Sequence, residues 1–311
     1  MENRKVRTRL MLVAVQLLVC CLLFVPQTAQ ATEGAQSYYF PGSNTNFGTS
    51  VAPTPGFMFV NQMLFYSGKA ETAVLKGTVH VDLKAKAFYN YIGGLYTFKQ
   101  PVLGSRLQVG AVVPVGHADI QARIGHLGFS ENRTDIGDAA LTAALYWNKG
   151  GVHYKLIETV YAPTGAYRHG HLVNVGRNYW GFDTSLAVTW LNPKKGREFT
   201  IMPGILFNTK NNVTDYKSGN EFHVDVALNQ YLSRHFAVGI HGYYYRQVSG
   251  DSGTGAKLGA FKGRSLGIGP AVLWSPDKKG DLVVMVKWLH DVQDHNRMQG
   301  HFGVLTVAYK F

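Results

Sequence analysis

From residue 57 to the carboxy terminus, apolar and polar residues alternate with a period of two. Phe222, Val224, Val226 and Leu228 share one face of an extended segment, with Glu221, His223, Asp225 and Asn229 on the other. Trp180, Phe182, Leu186, Val188 and Trp190 likewise oppose Tyr179, Asp183, Ser185 and Thr189. Phe199, Ile201, Ile205 and Phe207 alternate with Glu198, Thr200 and Asn208, and Phe236, Val238, Ile240 and Tyr244 with His235, His241 and Tyr243. Two is the side-chain period of a strand, not of a helix. The 35 glycines spread along the chain argue against helices too, since each costs about 1 kcal/mol against alanine in a helix interior. After residue 31 no apolar run approaches the ~18 residues of a spanning helix. The chain is all-β.

Alternation alone fits both a soluble sandwich and a barrel with its apolar face in lipid. The connections separate them. The pattern marks twelve strands, at about 57–67, 79–97, 105–115, 138–148, 152–162, 179–191, 197–208, 221–232, 235–248, 263–274, 281–291 and 301–311. Short turns follow the even-numbered strands (99–104, 148–151, 192–196, 233–234, 275–280). Longer loops follow the odd-numbered ones (68–78, 116–137, 163–178, 209–220, 249–262, 292–300). The second strand is overlong, and Gly93-Gly94 marks a bulge or boundary in it. An even strand count with turns at one end and loops at the other predicts a transmembrane antiparallel up-and-down β-barrel of about 12 strands over residues 57–311, its turns in the periplasm. A strand of ~11 residues tilted ~40° rises about 28 Å, close to the ~25 Å apolar band of such barrels. Trp147, Trp180, Trp190, Trp274 and Trp288 fall near strand ends on the outward phase, where an interfacial aromatic girdle belongs.

The two termini agree. Arg4, Lys5, Arg7 and Arg9 precede an apolar run from Leu10 to Val25, and Ala29-Gln30-Ala31 offers small residues for cleavage. This is a secretory signal peptide over residues 1–31. Val19 before Cys20 is the wrong residue for lipidation, and cleavage after Ala31 removes both cysteines, Cys20 and Cys21. The exported chain therefore has neither a disulfide framework nor a thiolate metal site. The chain ends Val304-Leu305-Thr306-Val307-Ala308-Tyr309-Lys310-Phe311. A terminal Phe311 with Tyr309 two residues before it resembles the signal read by the outer-membrane barrel assembly machinery. The expected location is the Gram-negative outer membrane, with outer-membrane lipid and lipopolysaccharide as surroundings and the chain a monomer. Residues 32–56 lack strand periodicity, end in Pro53-Thr54-Pro55-Gly56 and carry Tyr38-Tyr39-Phe40. This N-terminal segment is either a periplasmic tail or a plug turned back into the lumen; three consecutive aromatics favour the plug.

Composition narrows the function. The net charge of +12 would suit nucleic acid, but an exported chain meets little of it and the basic residues do not cluster. Lys149, Lys194, Lys195, Lys278 and Lys279 sit at turns or strand ends instead, within reach of lipid phosphates. The sequence has no His-Glu-x-x-His, Gly-x-Ser-x-Gly, Walker loop or dinucleotide fingerprint. Gly267-Ile268-Gly269 lies in a strand, and His169-Gly170-His171 reads as solvated loop histidines, so neither metal nor cofactor is expected. Arg177, Asp183, Glu221, His223, Asp225, His241 and Tyr243 are the candidates for lining a lumen or solute path. The competing reading is an outer-membrane lipid or peptide hydrolase, built from Asp183, Glu221, His223, Asp225 and His241 at the outer rim. A Ser/His or Asp/His cluster within hydrogen-bond distance there would favour the enzyme; a gap in the lumen would favour a channel.

Longer motifs carry a resemblance. These are Leu172-Val173-Asn174-Val175-Gly176-Arg177-Asn178-Tyr179-Trp180, Ser185 to Lys194, Phe207 to His223, Gly242-Tyr243-Tyr244-Tyr245-Arg246-Gln247 and Gly253 to Arg264, with Glu33-Gly34-Ala35 and Tyr39-Phe40-Pro41-Gly42 at the start. Together they resemble the bacterial family labelled "meta-pathway of phenol degradation", often described simply as transporters. The resemblance implies an outer-membrane channel for passive uptake of small aromatic or hydrophobic compounds, associated with their catabolism. It brings no catalytic residues, and the chain is expected not to be an enzyme.

Overall fold

The computed structural model describes residues 32–33, 36–75, 78–124, 126–260, 262–277 and 279–311. The signal peptide, its cleavage site after Ala31 and both cysteines lie outside the described residues, as does Lys278. From the first strand onward the chain runs β1 (Gly56–Leu75), β2 (Thr78–Val102), β3 (Ser105–Ile124), β4 (Leu127–Ile136), β5 (Ala139–Lys149), β6 (Val152–Ala162), β7 (Gly181–Asn192) and β8 (Arg197–Asn208). A small hairpin, β9 (Lys210–Asn211) and β10 (Tyr216–Lys217), then interrupts the series. β11 (Glu221–Tyr231), β12 (Phe236–Gln247), β13 (Arg264–Trp274), β14 (Leu282–His295) and β15 (Gln299–Lys310) complete it. Sequence neighbours pair antiparallel, and β15 pairs with β1 from Met58↔Lys310 to Lys69↔Gln299, closing the sheet.

β4 and β5 are two halves of one strand. Both pair with β3, β4 along residues 115–124 and β5 along residues 106–112, so the barrel has 12 strands. The break falls opposite Pro114, whose carbonyl accepts the Gly137 N–H at 2.8 Å. Pro114 has no N–H to return to that neighbour, and the ladder kinks there. Above the kink β4 keeps only β3 as a strand neighbour, and residues 163–180 fold inward beside it.

The outward phase forms an exposed apolar belt that includes Phe59, Leu141, Phe182, Leu186, Leu228, Ile240 and Ile268. An apolar surface of that extent belongs in lipid, not water. Turns at the opposite end from the long loops are tight. Gly150 and Gly151 both adopt positive φ (60° and 82°), as a two-residue hairpin turn requires.

Three expectations need correction. Residues 68–78, 116–137 and 292–300, read as loops, lie largely in the outer ends of β1–β4, β14 and β15. β2 alone has 25 residues, which at ~3.3 Å each and ~40° tilt rises about 63 Å, far beyond the ~25 Å band. Beyond lipid the alternation no longer has to put apolar side chains outward, so the pattern that marked strands fades. Gly93-Gly94 is neither bulge nor boundary: both stay in register with β1 and β3, and the shifts fall at 81/84 and 97/101. A Cβ on Gly94 would come within 2.5 Å of the Phe57 ring, so the glycine makes room for an aromatic on the next strand. Finally, Trp288 sits in mid-strand, because β14 continues to His295.

Candidate solute pathway

The inner surface has two chemically different halves. On β7, β8, β11 and β12 the alternation turns Asp183, Ser185, Thr189, Glu198, Thr200, Glu221, His223, Asp225, Asn229 and His241 inward, all buried. On β1–β3 and β15 the buried inward set towards the loops is apolar, Leu64, Leu83, Ala85, Ala118, Ile120, Phe302 and Val304, while nearer the turns Thr97, Gln108 and Thr306 are buried on the same strands. Sequence reasoning missed this second half. Its signal is an inverted phase in residues 83–87, where Leu83, Ala85 and Ala87 alternate with Lys84 and Lys86. Read as a membrane strand, the apolar residues belong outside. At this height the lysines face water and the apolar side chains line the interior.

Residues 32–33 and 36–55 descend the interior along the polar half. Near the outer loops the Glu33 N–H donates to Ser218 Oγ at 3.3 Å, and burial pushes the Glu33 carboxyl above its usual range. Ser37 donates to Glu221, and the Tyr39 hydroxyl to Asp225. The second oxygen of Asp225 accepts the N–H groups of Asn44 (3.1 Å) and Thr45 (3.3 Å). Lower down the Gly48 N–H donates to both oxygens of Glu198 at 3.1 and 2.9 Å. At the turn end Lys310 reaches Thr54. Lys287 on β14, fully buried, donates to the carbonyls of Gly42 (3.0 Å) and Thr45. Irregular backbone inside a membrane barrel must find partners for its polar groups, and these carboxylates and this ammonium supply them.

The three aromatics point at three different walls. Tyr38 stacks on Tyr161 at 4.6 Å between centroids and donates to Asp138 Oδ2 at 2.7 Å. Tyr39 stacks on His223 at 3.9 Å. Phe40 alone turns to the apolar half, edge-on to Tyr66 (6.0 Å) and Phe302 (5.6 Å). Between Phe40 and that wall remains a pocket of about 70 Å³, lined also by Tyr89, Ala118 and Ile120.

The remaining candidates are placed as follows. Arg177 lies on the inward-folded stretch 163–180 and donates to Gln36 Oε1 (3.0 Å) and the Ser37 carbonyl (2.6 Å). His241 meets Asn229 Oδ1 at 2.9 Å and packs against Phe47. Tyr243 donates to Asp291. Asp138, which sequence reasoning passed over, ties the kink together by accepting from Tyr38, the Gly165 N–H (2.8 Å) and the Arg177 N–H (2.6 Å). At the carboxy terminus the Phe311 N–H donates to the Phe57 carbonyl at 3.0 Å, while the Phe311 ring stays exposed.

One constellation has the residue types of a hydrolase. His223 Nε2 lies 3.1 Å from Asp183 Oδ2, and Ser185 donates to Asp183 Oδ1 at 2.8 Å. The connectivity is wrong for nucleophile activation. A triad places the histidine between the acid and the hydroxyl, whereas here the carboxylate sits between them and His223 Nδ1 has no partner. The group is also sealed: His223 is 0% exposed beneath Tyr39, so a substrate has no approach. It ties the wall to the N-terminal segment.

The fold is similar to that of an outer-membrane channel from Pseudomonas putida F1, with TM-score 0.68, 14% identity, and coverage of 88% of this chain and 100% of that one. It is also similar to the beta domain of the Bordetella autotransporter BrkA, with TM-score 0.51, 10% identity, and coverage of 83% and 100%. At such identities the likeness is one of fold. No curated protein matches the chain by sequence. The family model described as "Putative MetA-pathway of phenol degradation" matches residues 67–307, most of the chain and nearly all of the barrel, and the protein belongs to that family.

Proposed function

We propose that this protein is a monomeric outer-membrane channel through which small aromatic or hydrophobic compounds enter by passive diffusion, and that residues 32–55 are its internal restriction. The observation that carries this reading is the division of the lumen. The N-terminal segment occupies the polar half and uses its hydrogen-bonding groups, leaving the apolar stretch of β1–β3 and β15 on the loop side of Thr97, Gln108 and Thr306 as the face a solute meets. A hydrophobic solute moves along such a face without desolvating polar groups; a sugar or peptide does not. The family's association with phenol degradation and the fold shared with an outer-membrane channel support the same reading. Asp183, Glu221, His223 and Asp225 then act on the solute indirectly, by holding the segment that narrows its path.

The test is single-channel conductance in planar bilayers, comparing the intact chain with a variant lacking residues 32–52 but keeping the signal peptide. The deletion should raise conductance several-fold. Unchanged conductance in a correctly inserted deletion variant would rule out the segment as the restriction.

A further inference from the structure

Two cavities meet at Arg297. The pocket behind Phe40 is lined by Tyr66, Tyr89 and Phe302, by two cations, Arg177 and Arg297, and by one carboxylate, Asp291. Arg297 also lines a vestibule of about 1130 Å³ at the outer ends of the long strands. This larger space is bordered by Lys69, Lys84, Arg123 and Arg297 against two carboxylates, Asp82 and Asp294. A cleft with that excess of positive charge concentrates anions.

Arg297 stands in the connection between β14 and β15, and its guanidinium lies 3.8 Å over the Tyr245 ring. Its Nη1 is buried and has no hydrogen-bond partner. A buried donor left unmet costs ~1–3 kcal/mol, more when charged. The acids within electrostatic reach, Asp291 and Glu221, are engaged elsewhere. Asp291 accepts from Tyr243 and from the Gly300 N–H at 2.8 Å; Glu221 accepts from Ser37 and from Asn208 at 2.8 Å. Arg177 is held at the same pocket by Gln36 and Ser37.

We propose that this pocket recognises aromatic solutes bearing a single anionic group such as a carboxylate, the ring taking the place of Phe40 against Tyr66 and Phe302 and the anion meeting Arg297 Nη1. The inference rests on the channel reading and narrows its substrate class. Rings lying edge-to-face supply the aromatic contact, and a guanidinium is suited to a carboxylate. The 70 Å³ pocket is smaller than the ~150 Å³ cavity that holds a benzene ring, so entry of the ring displaces Phe40.

The experiment is calorimetric titration of the full-length protein in detergent with benzoate and, as the neutral control of similar size, benzyl alcohol. Benzoate should bind more tightly than benzyl alcohol by about tenfold, the effect of one charge-assisted hydrogen bond. Arg297→Gln should remove that preference while leaving benzyl alcohol affinity within about twofold. Arg297→Lys should keep part of it, and Phe40→Ala should strengthen both ligands. Heat-modifiable mobility on gels verifies that each variant is folded. Equal binding of the two ligands by the intact protein, or an Arg297→Gln variant that weakens both alike, overturns the anion site. Benzyl alcohol flux in proteoliposomes is read separately: no flux with binding intact sinks the channel reading and leaves the site standing.

Discussion

Asp225→Asn is the smallest change that should free the N-terminal segment. Asp225 is completely buried, and its two oxygens accept from the Tyr39 hydroxyl and from the N–H groups of Asn44 and Thr45. An amide of the same size has one acceptor oxygen and presents an NH₂ group where the other stood. One donor, the tyrosine hydroxyl or the backbone pair, is left facing another donor, at about 1–3 kcal/mol. The bonds that survive fall from charge-assisted to neutral strength, about 1 kcal/mol each. Docking of the segment should weaken by about 3–5 kcal/mol in all, or two to three and a half decades in the ratio of docked to undocked forms. Lys287, Glu198 and Glu221 still hold it in the variant, so the segment should undock transiently rather than leave the barrel. In single-channel recordings the variant should add bursts of higher conductance. Residues 32–52, protected in the intact protein, should become cleavable by protease. A folded variant with unaltered conductance and protection would refute the anchoring role of Asp225.

Two further predictions follow from the wall and the loops. Val226→Arg puts a charge on the lipid-facing phase of β11 and should cost about 2–4 kcal/mol of barrel stability, read from urea titrations in vesicles; no loss would place residue 226 inside and shift the register by one. In the loop after β12, burial raises the Asp251 carboxyl to about 7 despite bonds from Tyr216, the Gly219 N–H and Gln247. Its folded pKa lies above its unfolded value, so the folded loop binds more protons. Stability is therefore present in full below the unfolded pKa, near 4, and is lost as pH rises towards 7. Hydrogen exchange in residues 209–220 and 249–262, corrected for intrinsic rate, should quicken between pH 5 and pH 7. Asp251→Asn should flatten that dependence; an identical profile in the variant would contradict the assignment.

The membrane-height barrel is legible in the chain because lipid forces one phase on every strand. The phase set by Phe222, Val224 and Val226 puts His223 and Asp225 on the inner face, where both are fully buried. That rule ends with the lipid. Above it, Lys84 and Lys86 face out while Leu83 and Ala85 line the interior, so the same alternation carries the opposite meaning and the apolar half of the lumen goes unread. Pro114 is visible in the sequence, but its effect depends on which neighbour its missing N–H should have served, a matter of register. The anchors of the N-terminal segment lie 100 to 256 residues from their partners, and no local spacing announces such pairs. Lys287 carries a local flag, as the one charge among Val284, Met285, Val286, Trp288 and Leu289. Arg297 has no such flag; only the unmet Nη1 beside a ring-lined pocket marks it.

Uptake across an intact outer membrane tests the central claim most directly. The initial rate of entry of radiolabelled benzyl alcohol at micromolar concentration is measured in a Gram-negative host lacking its general porins, with and without this chain, alongside a polar solute of similar size such as glycerol. The protein should raise benzyl alcohol entry several-fold and leave glycerol near the background rate, because the apolar half of the lumen offers the polar solute nothing in exchange for its water. Equal benzyl alcohol entry with and without a correctly inserted barrel, or an equal gain for both solutes, would contradict a channel built for small aromatic and hydrophobic compounds.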